Sequence, residues 1–500
     1  MKKYVRNISV ILKCAILLLI VCFSCTDKNN GDDYLKPNIL FIAIDDLRPE
    51  LGCYGNQIIK SPNIDQLASE GYLFENHYVT VPTCGPSRHC LLTGIAPKTR
   101  DEIKNSVSAN TLSGQEEVEL PETFLHQLRR NGYYTVGIGK ISHHPDGHVY
   151  GYMESPENRP LELPHSWDEM LLNDEKWESG HNAFFGYANG TNRNTLNKEV
   201  KPYENADVPD TGYVDGLTTL LAINKLQELK LRNEPFCLAV GFFKPHLPFT
   251  APKKYWDLYN RDDITVTESP NIPKSINEKS LQASGEFNQY KLGEEKASLS
   301  KPVSDEYAKK LKHAYYACIS YIDAQVGMLL QELEDSGMAE NTIVILWGDH
   351  GWHLGDHRVW GKHTLFDRAL HSPLIIRTPH STSPKNISEV VSTMDIYPTL
   401  MDLCDVDMPY ASDGQSMMPL LESNDLEDWD NDAFSYFKQG ISLKTPEYRI
   451  TKYFRNEQPD VELYDHVLDP LESVNIAAEF PGIRDSLLVQ LEKGNTGLFD

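Results

Sequence analysis

The sequence predicts an α/β fold: a large, mostly parallel sheet held between helices, with a smaller C-terminal α+β subdomain. Three observations carry this. Apolar runs of strand length recur along the chain, helical patterns lie between them, and the character of the sequence changes after about Met408.

Four runs stand out: NILFIAI (Asn38–Ile44), YYTVGIG (Tyr133–Gly139), FCLAVGFF (Phe236–Phe243) and TIVILW (Thr342–Trp347). Each is continuously apolar rather than alternating, the mark of strands covered on both faces in a parallel sheet. The clearest helix spans Ser304 to Gly337, where Tyr307, Leu311, Ala314, Cys318, Ile322, Val326, Leu329 and Leu333 recur at helical spacing. Ser304 suits its N-cap and Gly337 its end. A second helix runs roughly from Gly216 to Lys230. Strands alternating with helices specify a layered α/β domain. Two long stretches rich in Pro, Asn and Gly, about 148–212 and 262–302, interrupt this order. Loops of that length usually carry function or stay disordered. Past Met408, YRITKYFRN and VELYDHVLD alternate like antiparallel strands, and a helical IRDSLLVQLEKG closes the chain. The boundaries that follow are a leader at 1–24, a linker at 25–35, a catalytic domain at 36–407 and the C-terminal subdomain at 408–500.

The leader begins with Lys2, Lys3 and Arg6 and turns apolar, but Lys13 interrupts it. A membrane span of about 20 apolar residues fits this poorly, and a signal peptide fits well. Ser24-Cys25 followed by TDKNNGDD resembles a bacterial lipoprotein cleavage site, with plain signal cleavage nearby as the alternative. The expectation is an exported outer-membrane lipoprotein, periplasmic or at the cell surface, meeting the membrane only through a lipid on Cys25. A formal charge of −25 without any basic run argues against a nucleic-acid partner. Of the nine cysteines, Cys14 and Cys22 belong to the leader and Cys25 is the expected lipid site; the remaining six are scattered, with no CxxC pair, so they form neither a disulfide framework nor a zinc ribbon.

Each apolar run finishes in titratable residues: Asp45-Asp46, Lys140 with His143, Lys244-Pro245-His246 and Asp349-His350. Ligands of open α/β sheets bind at the carboxyl ends of strands. Asp45, Asp46 and Asp349 together would repel unless a cation sat among them. Carboxylates with an imidazole point to Ca²⁺ or Mg²⁺ rather than zinc. Arg88, Lys140, His143, Lys244, His246 and Lys362 add positive charge or proton transfer. A metal and several cations around one spot describe a pocket for a tetrahedral oxyanion, sulfate or phosphate. Cys84 precedes Ser87–Leu92, a segment able to open a helix. A thiol is a poor nucleophile toward a sulfate ester beside a hard cation, and an oxygen would serve better.

The run CGPSRHCLLTG is similar to the sulfatase signature C-x-P-S-R-x-x-x-L-T-G, with every fixed position filled. NILFIAIDDLRPELGCYG, AVGFFKPHLPF, WGDHGWHLGDH and WGKHTLFD resemble the iduronate-2-sulfatase branch of that family, and the likeness spans roughly 36–477. The resemblance implies an alkaline-phosphatase/sulfatase-like fold. It implies that a formylglycine-generating enzyme oxidises Cys84 to 3-oxoalanine (formylglycine), whose hydrate supplies the oxygen nucleophile. Asp45, Asp46, Asp349, His350 and the modified Cys84 would hold one Ca²⁺. Arg88 would steady the hydrate, and Lys140 and Lys362 would clamp the sulfate. His246, with Lys362, would protonate the leaving sugar oxygen. His143, rather than its neighbour His144, would take the proton that expels sulfate, and Asp349 would help deprotonate the attacking hydroxyl. The implied substrates are sulfated oligosaccharides or polysaccharides: rhamnose or uronic acid sulfates of algal ulvan, or uronate 2-sulfates of glycosaminoglycans. Two alternatives stand beside this: a phosphonate monoester or phosphodiester hydrolase of the same superfamily, and a non-catalytic glycan-binding lipoprotein.

Overall fold

All four apolar runs are strands at the centre of one eight-stranded sheet in the computed structural model. It describes residues 36–232, 234–379, 384–422 and 429–499. The expected leader, linker and Cys25 lie outside the described residues. From Pro37 onward the described chain belongs to one compact unit.

The large sheet is built from β1 (Asn38–Ile44), β2 (Tyr72–Tyr78), β3 (Tyr134–Gly139), β4 (Glu169–Leu171), β5 (Phe236–Phe242), β6 (Thr342–Gly348), β7 (Leu374–Arg377) and β8 (Lys385–Ser392). Their order across it is β8-β2-β7-β6-β1-β5-β3-β4. The strands read from the sequence, β6, β1, β5 and β3, are adjacent and mutually parallel. Only β7 runs against its neighbours. Parallel strands end on the same side, so the residues following β1, β3, β5 and β6 meet at one rim.

Side chains of a strand alternate between faces, and β1 shows why its sequence does not alternate. Leu40, Ile42 and Ile44 enter one core with helices α2 (Val214–Leu229) and α3 (Asp305–Ser336). Ile39, Phe41 and Ala43 enter the opposite core, with Leu91 and Leu92 of α1 (Cys84–Thr93) and Ile396, Tyr397 and Leu400 of α4 (Ile396–Leu403). Both faces are dry, so both must be apolar. The long helix α3 is capped as its sequence indicates: Ser304 Oγ accepts from the Tyr307 N–H, and Gly337 takes a left-handed φ of 72°.

The outer strands β2, β4, β7 and β8 were not legible as strands. YLFENHY and KNISEVVS mix exposed polar positions with buried ones, and such a pattern resembles a loop when no partner strand is known. A second, antiparallel sheet follows: β9 (Ala433–Phe437), β10 (Gly440–Lys444), β11 (Tyr448–Tyr453) and β12 (Val461–Asp465), in chain order. Helix α5 (Pro481–Leu491) buries Leu487 and Leu491 in the core that this sheet shares. This is the small C-terminal subdomain. None of Cys53, Cys84, Cys90, Cys237, Cys318 and Cys404 is in a disulfide.

Candidate active site

Successive residues of a regular strand point to opposite faces, which would separate Asp45 from Asp46. Asp46 instead adopts φ 60°, in the left-handed region where Asp is among the few tolerated residues. This turn brings both carboxylates to the rim. Asp349, just past β6, accepts from the Asp46 backbone N–H at 3.0 Å and ties the two strand ends together. Asp45, Asp46, Asp349 and His350 are all completely buried.

Cys84 is the first residue of α1, and its thiol lies among these groups. Sγ is 3.3 Å from Asp45 Oδ1, 3.2 Å from His350 Nε2 and 3.2 Å from Lys362 Nζ. Burial, then Asp45, push the thiol up to about 12 despite Lys140 and Lys362, so an unmodified cysteine here is a protonated and inert thiol at neutral pH. Gly85 lets α1 begin where it does. A Cβ at that position would stand 2.5 Å from the Asn105 backbone, while the Gly85 N–H donates to Asn105 Oδ1. One turn on, the buried Arg88 donates from Nε to Asp349 Oδ2 at 2.9 Å and from Nη1 to the carbonyls of Lys140 and Ile141. Arg88 thereby clamps α1 to the ends of β3 and β6.

The donor set suits a hard cation. One ligand atom from each of Asp45, Cys84, Asp349 and His350 lies within 4.8 Å of the others, and Asp46, Cys84 and His246 form an overlapping group. His350 Nδ1 faces the Gly351 carbonyl at 3.0 Å, so it holds a proton and leaves Nε2 free for coordination. Asp46 Oδ2 is buried with no hydrogen-bond partner, an orphan acceptor that an ion would satisfy.

The cations flank the carboxylates. Lys140 pairs with Asp45, and Lys362 Nζ lies 2.7 Å from Asp46 Oδ1. Burial opposes charge on both amines, but their carboxylate partners outweigh it and raise both above the ordinary lysine value. His246 donates from Nδ1 to the Leu247 carbonyl, which leaves Nε2 3.0 Å from Glu286 Oε1 and 3.8 Å from Asp46 Oδ2. Burial and Lys362 push this imidazole down to about 4. His143 stands in the fields of Lys140 and Asp45, and burial with Lys140 holds it well below the usual histidine range. Its neighbour His144 packs instead on the rings of His181 and Tyr150. Lys244 donates its ammonium to the carbonyls of His246 and Pro248, so it braces the loop that carries His246.

Sequence reasoning missed Glu286. It comes from the polar stretch at 262–302 and reaches both His246 and Lys362, 3.7 Å from the latter. Burial would raise this carboxyl, yet Lys362 and His246 hold it well below the usual range. A single Glu in a polar loop gives no local signal of such a position. Phe184 was missed as well; its ring stands 4.4 Å from that of His246 and 4.2 Å beneath the Lys140 ammonium.

Comparisons with known proteins give the family and the fold. A family model described as Sulfatase matches residues 37–406, and one for the N-sulphoglucosamine sulphohydrolase C-terminal region matches 355–495. The chain is 29% identical to iduronate 2-sulfatase of Mus musculus, over 91% of this chain and 92% of the relative. It is 30% identical to a sulfatase of Formosa agariphila, over 93% of this chain and 88% of the relative. The phosphonate monoester hydrolase of Agrobacterium radiobacter superimposes with a TM-score of 0.71 at 22% identity, covering 92% of this chain and 96% of the other. This last likeness shows the shared sulfatase/alkaline-phosphatase-like fold.

Proposed function

The chain belongs to the sulfatase family and is a sulfuric ester hydrolase, and from that premise we propose that it removes sulfate from oligosaccharides of sulfated polysaccharides. The sugars that fit are uronate 2-sulfates of glycosaminoglycans and the rhamnose or uronic acid sulfates of algal ulvan. The family implies a metal ion and a formylglycine, and position 84 is where a maturation enzyme would make the latter. The observation that carries this reading is the Cys84 side chain, within 3.3 Å of a carboxylate, an imidazole and a lysine ammonium.

Asp45, Asp46, Asp349 and His350, with residue 84, would hold one Ca²⁺. The ion would neutralise the carboxylates and polarise a sulfate oxygen, while the aldehyde hydrate would supply an oxygen nucleophile. The chain's own groups do the rest. Lys140 and Lys362, at ordinary pH both ammonium ions, receive the sulfate oxygens. Asp349, held by Arg88, is placed to take a proton from the attacking hydroxyl. His246, whose Nε2 faces the pocket, and Lys362, the protonated member of the pair at ordinary pH, together would supply the proton to the leaving sugar oxygen. His143 accepts the proton whose removal lets sulfate depart. Phe184 keeps water from the Lys140 side, which strengthens every charge interaction in the pocket. The lipid on Cys25 and an outer-membrane location complete the proposal; they rest on the leader sequence.

Mass spectrometry of the protein matured in its native cytoplasm is expected to find residue 84 lighter than cysteine by the exchange of a thiol for an aldehyde. That protein should release sulfate from a panel of sulfated oligosaccharides, and Cys84→Ala should release none. An intact thiol together with full turnover would overturn the reading.

A further inference from the structure

An interior charge without a counter-charge is costly, and the three cations that flank the carboxylates each have one. Arg88 pairs with Asp349, Lys140 with Asp45 and Lys362 with Asp46. Arg193 does not. Only 6% exposed, it pairs with no carboxylate among the described residues, and its Nε has no hydrogen-bond partner.

Its position relates it to the site. The guanidinium carbon stacks 3.4 Å from the Phe185 ring centroid and 5.6 Å from that of Tyr290. The Phe185 centroid is 6.0 Å from that of His246. Two steps, each about the width of a ring, therefore separate Arg193 from the group assigned to protonate the leaving sugar. Tyr152, 47% exposed, meets Phe185 edge-on at 5.8 Å. Burial raises its phenol, while both Lys140 and Arg193 act in the opposite direction. Tyr152 thus stands in the fields of the sulfate-binding lysine and of Arg193. Phe184, Phe185 and Arg193 form a contiguous stack that starts on the His246 ring, and Arg193 belongs to the polar stretch 148–212 that the sequence left unassigned.

We propose that Arg193 is a specificity-determining residue of this site, binding a second anionic group one sugar ring away from the sulfate that is cleaved. This rests on the sulfatase reading. The second group is a carboxylate or a further sulfate ester, since both present paired oxygens to the planar fork of a guanidinium. Stacking on Phe185 covers a face of the guanidinium and leaves its N–H edges for hydrogen bonding. Lysine, a point charge without a stacking face, would not reproduce this. Polyanionic substrates also have to approach a chain of charge −25, and an interior cation with no carboxylate partner among the described residues supplies local attraction.

The experiment compares sulfate release from four substrates: a uronate sulfate, its carboxyl-reduced counterpart, a disulfated neutral sugar and the same sugar with only the scissile sulfate. In wild-type enzyme kcat/KM is expected to favour the doubly anionic member of at least one pair by roughly ten- to a hundredfold, the range for a charge-assisted hydrogen bond. The preferred pair tells carboxylate from second sulfate. Arg193→Met should collapse that ratio, chiefly through KM, and Arg193→Lys should restore only part of it. The wild-type comparison stands even if Arg193→Met misfolds. Equal turnover within both pairs overturns the assignment. So does a ratio that Arg193→Met leaves intact, or a uniform loss on all four substrates with a lowered Tm, which would make Arg193 a purely structural stack. Absence of sulfate release from every substrate by mature wild-type enzyme overturns the function itself, and the Arg193 assignment with it.

Discussion

At the scale of single residues the pocket is a balance of buried charge. Lys362 touches Asp46, Cys84 and Glu286. Replacing it by Met removes the ammonium proposed to hold the sulfate and leaves Asp46 without its ion-pair lysine. Loss of one preorganised donor lowers kcat by about 10²–10³, and breaking a buried pair costs about 3–5 kcal/mol. Lys362→Met is therefore expected to lose at least a hundredfold in sulfate release and to shift the urea midpoint downward; a variant near wild-type in both would remove Lys362 from the site. Asp45, Asp46, Cys84, Asp349 and His350 were legible in the sequence because each follows a recognisable strand or fills a fixed signature position. Glu286, Phe184 and Arg193 were not. They sit in irregular chain, where no periodicity says which way a side chain faces, and only the fold around them places them beside His246 or Phe185.

At the scale of elements, the placement of α1 depends on Gly85. An added methyl would collide with the Asn105 backbone at 2.5 Å, and backbone cannot swing aside as a side chain can. Gly85→Ala is expected to displace the start of α1, so that Cys84 is matured poorly and sulfate release falls more than tenfold; mass spectrometry of residue 84 beside activity would show it. A second element-level expectation concerns the turn before α4. Asp395 closes a capping box with Ser392 and also accepts from the Gln415 N–H at 2.9 Å. Burial pushes its carboxyl up from 3.8 to about 7. A raised folded value means that the folded state holds the proton more tightly than the unfolded one. The resulting stabilisation is complete below about pH 4 and is lost as pH rises through about 7, at most about 4 kcal/mol in all. Urea midpoints of wild type relative to Asp395→Asn should therefore fall between pH 5 and pH 8, and a constant difference would contradict the raised value. Among elements, legibility followed burial on two faces over a long enough run; β7 is buried on both faces but is only four residues long. β1, β3, β5 and β6 are uniformly apolar because both faces are covered, whereas β2 and β8 carry polar residues on a partly wet face.

At the scale of the whole molecule, the rim draws its groups from segments far apart in the chain, so the proposed ion would act as a cross-link between β1, α1 and β6. Ligands that bind only the folded state raise its stability by mass action. Chelation is expected to lower Tm by several degrees and abolish sulfate release, and added Ca²⁺ to restore both; an Asp46→Ala protein should show no Tm response to Ca²⁺. A Tm indifferent to chelator and to Ca²⁺ in the wild type would remove the ion from the proposal. The sequence by itself determined the layered α/β class, the four central strands, the capped long helix, and the residue types that end each strand, because burial and helical periodicity are written locally in side-chain polarity. Only the tertiary structure decided that β7 runs against its neighbours, that a left-handed turn at Asp46 brings two adjacent carboxylates to one rim, and that the long polar stretches deliver Glu286 to His246 and Lys362 and Arg193 to the Phe185 ring. Those outcomes depend on which distant segments pack together, and contact between distant segments is a property of the folded chain that no local pattern encodes.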